Sequence, residues 1–470
     1  MPRLPRYRLT DSEKDALLHQ QAALIERQAA LIEQQSASIE TLTARIAALE
    51  ADRGKPRKTS RNSHLPPSQD PGGAKGGGKA PAKGKAKKPR PSRPGVSRRL
   101  SETPDETIVL TADRCACGAD VSGLRQTRRM RYDHVDIPPV VPHVTRIELH
   151  GGRCACGNRF RATPPAGMIP GTPFGPNIHA LLAYLHHSHH VGFERLARLA
   201  AELFGLKISE GAIANALHRL ATPLAAERAE IIEKLRAAEV VWSDETTTRI
   251  NGRLHWQWVF VTPEAVLHEI APRRARAVAE AAMGGHRPAV WISDRYAGQQ
   301  GMAATHQVCL AHVLRDVQYA IDSGDAVFAP ALAKLLSWTI DVGRRREQLK
   351  DSTLRQYRLK ADNRLDGLLM KPAPHPAGRK LQAQVKAWRT KFFLFLEDRR
   401  VSATNNVSER EIRPSVVFRK VTGGFRSEWG ARVHASYRSV TSTTRIAGKT
   451  AFDTLRDASA TLFTPTPRWA

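Results

Sequence analysis

Three acids carry the chemistry this sequence could perform. Asp244 lies in "VVWSDETTTRI", Asp294 in "PAVWISDRYAG" and Glu409 in "TNNVSEREIRP". Each aspartate follows an apolar run that reads as a buried strand. Carboxylates set side by side repel unless a cation neutralises them. Hard oxygen donors favour Mg²⁺ or Mn²⁺. Two such ions would activate a water or a 3′-hydroxyl and stabilise the leaving oxygen of a phosphoryl transfer. Each aspartate alone also fits a common strand-end turn. Glu409 stands three residues after Asn406, the spacing of a capping box, where it would only satisfy free amides and complement a helix dipole. Glu411 is the fallback acid, but two residues along a helix turn it about 200° away, so the two cannot face one site.

The surrounding pattern predicts the elements that position these acids. β-type residues from 240 onward break at Asn251-Gly252, a strong hairpin signal. "AVLHEIA" continues as a third strand, "RRARAVAEAAM" as a helix, and "PAVWIS" as a further strand. Three antiparallel strands, a helix and another strand is the order of a ribonuclease-H-like core, in which the first and fourth strands are neighbours. Asp244 and Asp294 would then meet. Trp256, Trp258 and Trp291 read as core. Upstream, "FERLARLAAELFGLKISEGAIANALHRL" reads as a helix, a Gly-containing turn after Phe204 and a second helix opening at Ser209. That is helix-turn-helix spacing, although any helical hairpin looks similar. "HHSHH" (His186, His187, His189, His190) has no cysteine or carboxylate at ligand spacing and reads as a polar helix face.

The remainder points to a polyanion. With 73 Lys+Arg against 45 Asp+Glu, the 470-residue chain carries a net charge of +28, which favours nucleic acid over a membrane surface. There is no 18-residue apolar run and no signal-peptide pattern, so a cytoplasmic location is expected, with no membrane partner. Leu18, Ile25, Ile32, Ile39 and Ile46 recur every seven residues, with Leu42 and Leu49 in the late d layers and Gln21, Gln28 and Gln35 in the early ones. A coiled coil and a homo-oligomer follow; a lone amphipathic helix packed on its own chain is the alternative. Residues 51–100 hold fifteen Lys/Arg against two Asp and read as a flexible basic arm for phosphates. "RCACGAD" (Cys115, Cys117) and "RCACGNR" (Cys154, Cys156) suggest a Cys₄ structural zinc site, with short β-like runs between the pairs. Reduced structural cysteines are the alternative. Cys309 and His312, three apart on an expected helix, lack two further ligands and read as packing or as support for the acidic site.

"WSDET", "ISDRYAG", "HQVCLAHVLRD" and "TNNVSEREIRPSVVFRKVTGGFRSEWGA" together resemble the insertion-sequence-66 family of DDE transposases. "SRNSHLPPSQD", the paired cysteines and the heptads have counterparts there in the same order. The C-x-C pairs depart from the family's usual C-x-x-C. The resemblance implies a metal-dependent catalytic triad of Asp244, Asp294 and Glu409 holding two Mg²⁺ or Mn²⁺ ions. It also implies a helical insertion before the last acid. Arg315, Arg413, Arg419, Lys420 and Arg426 are the expected phosphate contacts, with a solvated basic face as the alternative for any one of them.

The expected architecture is multidomain α+β. It runs as a leucine-zipper-like helix (1–50), a disordered basic linker (51–105), a zinc-ribbon-like cysteine module (106–165) and a helix-turn-helix-like region (170–236). A ribonuclease-H-like core (237–325, 401–470) is then interrupted by the helical insertion (326–400). The expected function is hydrolysis and strand transfer at the ends of a mobile element, with terminal repeats and target DNA as partners and a nucleoid-associated location. The rival readings are a catalytically inactive architectural DNA-binding protein and a nuclease of the same fold without strand transfer.

Overall fold

The computed structural model of the chain describes residues 10–53, 56–63, 65, 70, 98–168, 171 and 173–463. Two compact units emerge, one from residues 1–76 and 290–405, the other from 77–289 and 406–470. No helix among the described residues is long and apolar enough to cross a membrane.

The first unit begins with helix α1 (Asp11–Arg53). Its start is a reciprocal capping box: Thr10 N–H and Oγ1 donate to Glu13 at 2.8 and 2.9 Å, and Glu13 N–H returns to Thr10 Oγ1 at 3.4 Å. The expected basic arm differs from a free chain at its start. Residues 60–62 turn, and Asn62 is buried, its Nδ2 donating to Asp322 at 2.9 Å and its Oδ1 accepting Thr59 N–H at 2.7 Å. Ser60 clamps Asp70 through N–H and Oγ at 2.6 and 2.7 Å. The Lys-rich stretch 71–97 lies outside the described residues.

In the second unit the cysteine segment contains a three-residue hairpin, β1 (Gly151–Arg153) against β2 (Arg159–Arg161). The β-like runs expected between the cysteine pairs form no ladder. Among the described residues, strand pairing here is confined to that hairpin and one bridge, Arg114 with Asp120. Pro138 and Pro139 cannot donate to a ladder, and Val140, Val141 and Val144 face solvent.

Helices follow: α2 (Pro176–His187), α3 (Phe193–Phe204), α4 (Glu210–Arg219) and α5 (Ala221–Arg236). Gly205 closes α3 at φ 62°, and Ser209 opens α4 by accepting Ala212 N–H at 3.2 Å. The antiparallel meander β3 (Val240–Ile250), β4 (Arg253–Val261) and β5 (Val266–Ala271) comes next. Its first turn takes positive φ at both Asn251 (47°) and Gly252 (75°), which sets the register Ile250 to Arg253. Helix α6 (Arg276–Met283) follows.

The chain then enters the first unit again with the parallel pair β6 (Val290–Ser293) and β7 (Thr305–Val308). Four helices accompany it, α7 (Leu310–Asp322), α8 (Phe328–Arg344), α9 (Asp351–Met370) and α10 (Pro376–Ala387). Buried Asp325 starts α8 by accepting Val327 and Ala329 N–H groups at 3.2 and 2.8 Å.

Three helices complete the second unit: α11 (Asn406–Thr422), α12 (Glu428–Ile446) and α13 (Ala451–Thr461). Helix α12 packs on α5 and β5, and α13 on α2. Most of α12 is buried although it is rich in Ser, Thr and Arg. Ser439, Thr441 and Thr444 return their hydroxyls to the carbonyls four residues back, each at 2.8 Å. Ser439 Oγ also accepts His268 N–H at 2.8 Å, and Thr443 Oγ1 accepts Val266 N–H at 2.9 Å, so α12 satisfies β5 amides that no strand takes.

Candidate active site and its supports

Side chains alternate along β3. The Glu245 side chain is excluded from solvent and paired with Arg274, whose guanidinium also lies 5.0 Å from the centre of the Trp256 ring. Trp256 is therefore half-buried under a cation, not core as expected; Trp258 and Trp291 are fully buried. Asp244 is half-buried, and its Oδ1 accepts Glu245 N–H at 2.9 Å.

Helix α11 lies on β3 and β4. Arg419 Nη1 donates to Thr246 and Thr247 Oγ1 at 3.1 and 3.0 Å, and Gln257 Nε2 to Ser415 Oγ at 2.8 Å. The strand that bears Asp244 and the helix that bears Glu409 are thus bolted together within one unit. The helix includes Asn406, so Glu409 falls in its first turn and Asn406 is not the cap. Glu411 contributes to the field at the buried Arg438.

Asp294 belongs to the other unit, directly after β6. Its Oδ1 accepts Tyr296 N–H at 2.8 Å, and its charge partly offsets the burial that lowers the Arg295 pKa. Arg295 pairs with Asp316 on α7. Cys309 caps α7 from outside the helix and is buried. Its N–H donates to Ser293 O at 2.9 Å and its Sγ accepts Asn405 N–H at 3.1 Å. One thiol residue therefore ties the strand end before Asp294 to the chain four residues before Glu409. The sequence reading of Cys309 is packing or support for the acidic site, not metal binding by the Cys309–His312 pair alone.

The five basic residues expected at phosphates differ in setting. Arg413, Lys420 and Arg426 are exposed, Arg315 and Arg419 half-buried. Arg419 is committed to the two threonine hydroxyls, and desolvation lowers its pKa.

Within "HHSHH" His189 is exposed and His186 and His190 are half-buried, but His187 departs from the expected polar face. His187 is buried, its Nδ1 3.2 Å from Nδ1 of His434, which is fully buried. Buried His268 lies 3.3 Å from Gln257 Nε2. Burial holds all three imidazoles well below their usual pKa, and the Arg438 cation adds to this at each. Arg438 itself is pushed down to about 10 by burial. The packing of α2 against α12 outweighs the polarity of the motif.

The four remaining cysteines are exposed and form two matching turns. Cys115 N–H donates to Ala119 O at 2.9 Å and Cys154 N–H to Asn158 O at 2.8 Å, with Gly118 and Gly157 at φ 91° and 88°. Hydrogen bonds from the backbone and thiol of Cys117 lower the Cys115 pKa, and those of Cys156 lower that of Cys154. Each turn stabilises one thiolate; among the described residues the two turns do not form one ligand cluster.

A family model described as Transposase IS66 family matches residues 171–433, more than half of the chain. The chain belongs to the IS66 transposase family. No curated protein matches it. As an IS66-family transposase it is a DNA-processing enzyme with DNA as its partner, in a family that generally uses divalent metals. The match spans all three acids, the helix pair and α11; it stops within α12 and leaves out the cysteine turns and α1.

Proposed function

We propose that this IS66-family transposase frees the ends of its element by phosphodiester hydrolysis and joins the resulting 3′-hydroxyls to target DNA. The observation that carries the reading is the docking of α11 on β3, which fixes the helix of Glu409 against the strand of Asp244. The link through Cys309 supports it from the Asp294 side. Asp244, Asp294 and Glu409 would act together in a ribonuclease-H-like core. Three carboxylates in a chain of net charge +28 are a donor set suited to Mg²⁺ or Mn²⁺. When bound, the two ions supply Lewis-acid activation of the attacking oxygen and charge stabilisation at the leaving one. The protein's own part is positional. Arg419 holds the two acidic elements in register, and Arg315, Arg413, Lys420 and Arg426 hold backbone phosphates so that attack runs in line. No covalent enzyme intermediate is required.

Around this core, the helix pair α3–α4 serves DNA-end binding, α1 pairs with a second copy as a coiled coil, and the protein resides with the nucleoid. For Cys115, Cys117, Cys154 and Cys156 to hold one structural zinc, the two separate turns would have to come together; metal analysis of the wild type against Cys115→Ser/Cys154→Ser tests this.

The deciding experiment uses a supercoiled plasmid carrying the gene with its flanking DNA. Asp244→Asn, Asp294→Asn and Glu409→Gln should each reduce Mg²⁺-dependent cleavage by at least about 10²-fold, the order lost when charge stabilisation at a phosphoryl-transfer centre is removed. Filter-retained DNA should be unchanged. Wild-type cleavage by Asp244→Asn would refute the assignment. Binding without cleavage by the wild type would instead indicate an architectural protein, and cleavage without joining of pre-cut ends a nuclease.

A further inference from the structure

A cavity of about 460 Å³ opens in the second unit between the start of α3, helix α4 and the turn that joins α11 to α12. Its apolar wall is aromatic. Phe193 and Trp429 are half-buried, while Phe418 and Phe425 stack behind them at 5.3 Å. The exposed guanidinium-bearing residues Arg195 and Arg426 also line it. Phe193 leans on His186 at 4.8 Å and Trp429 meets His218 edge-on at 5.3 Å, so neighbouring rings set the orientation of both. Gly192, Gly424 and Gly430 complete the lining.

We infer that this cavity receives a single unpaired nucleobase of the bound DNA. The inference rests on DNA being the partner of this chain. Flat π-faced ligands stack on aromatic walls irrespective of base identity. Flanking phosphates match the two arginines. Glu194 and Glu210, also in the lining, supply acceptors for exocyclic amino groups, which an all-apolar partner would leave unpaired. A size of a few hundred Å³ suits a nucleotide-scale ligand rather than a protein helix. The cavity borders the helix pair and lies on the turn directly after Arg419, so a base held there would fix the strand relative to α11.

The test uses a duplex of about 20 base pairs with one unpaired 5-iodouracil, irradiated with the full-length protein, and the same duplex fully paired. Cross-links should map to peptides containing Phe193 or Trp429. Phe193→Leu and Trp429→Leu should weaken binding of the bulged duplex roughly 5- to 150-fold, as loss of stacking on one base predicts. Binding of the paired duplex should change less than about twofold by the same argument. Trp429→Phe, which keeps a ring, should restore most of the affinity, and an unchanged thermal midpoint verifies folding. Cross-links confined to other peptides, or equal losses on both duplexes, overturn the base pocket while leaving DNA binding intact. Failure of the wild type to bind either duplex overturns the pocket and the DNA reading together.

Discussion

Helices α1 and α12 invert the usual relation between polarity and place. Ile25 and Ile32 of α1 are 64% and 63% exposed, whereas Ser439 and Thr441 of α12 are fully buried. In α12 the buried hydroxyls of Ser439, Thr441 and Thr444 each find a carbonyl four residues back, and Ser439 also takes an amide of β5, so the desolvation cost of these polar groups is offset locally. In α1 the apolar stripe finds nothing comparable among the described residues, since every described side chain of the helix is exposed. Internal hydrogen-bond satisfaction permits burial, and the proposed pairing of α1 with a second copy would cover its heptad stripe. Hydropathy alone misplaces both.

The comparison can be broken from the α12 side first. Tyr437→Ala removes a fully buried ring and its 2.6 Å bond to Ser188; a loss of about 3–5 kcal/mol should appear in denaturant unfolding of the second unit. Acid should act next. Unfolded histidines take up protons below about pH 6.5, whereas burial keeps His187, His268 and His434 neutral in the folded state. Their folded pKa values are depressed, so stability is complete above that pH and declines as pH falls. The limiting slope is about 1.4 kcal/mol per unit for each histidine. His306 in the first unit, pushed down to about 3 by burial, extends the decline to that pH. A thermal midpoint independent of pH between 7 and 5 would contradict this picture. A smaller loss is expected for Ser439→Ala, which strands the His268 amide: about 1–3 kcal/mol by the same unfolding assay. The paired change Ile25→Asn/Ile32→Asn should shift the unfolding midpoint of either unit by less than about 0.5 kcal/mol. It should nonetheless lower the mass measured by light scattering. A mass that does not fall would mean the stripe has no partner helix.

What was legible in the sequence was local. Asn251-Gly252 dictates its hairpin through two positive φ values, and Gly205 and Ser209 bound their helices by cap chemistry within a few residues. Matching apolar runs located the strands of Asp244 and Asp294, and the turn-forming Cys-Ala-Cys-Gly units were recognisable as a pair. What was not legible depends on partners far along the chain. Asn62 is ordered by Asp322, 260 residues away, against the grain of its basic, apolar-poor surroundings. His187 of α2 is buried by α12, whose own composition hides its burial. The bonds of Arg419 to Thr246 and Thr247, more than 170 residues away, have no signal in its own neighbourhood.

The capping box at Thr10 closes off the end of a helix 43 residues long. At 1.5 Å per residue that is a rod of about 65 Å, which equals the length of about 19 base pairs of B-form DNA. Such a rod measures distance as well as offering a stripe. Deleting one heptad keeps the stripe in phase yet shortens the span by about 10 Å, close to three base pairs. The length of the rod and the phase of its apolar stripe can therefore be altered independently in this one helix.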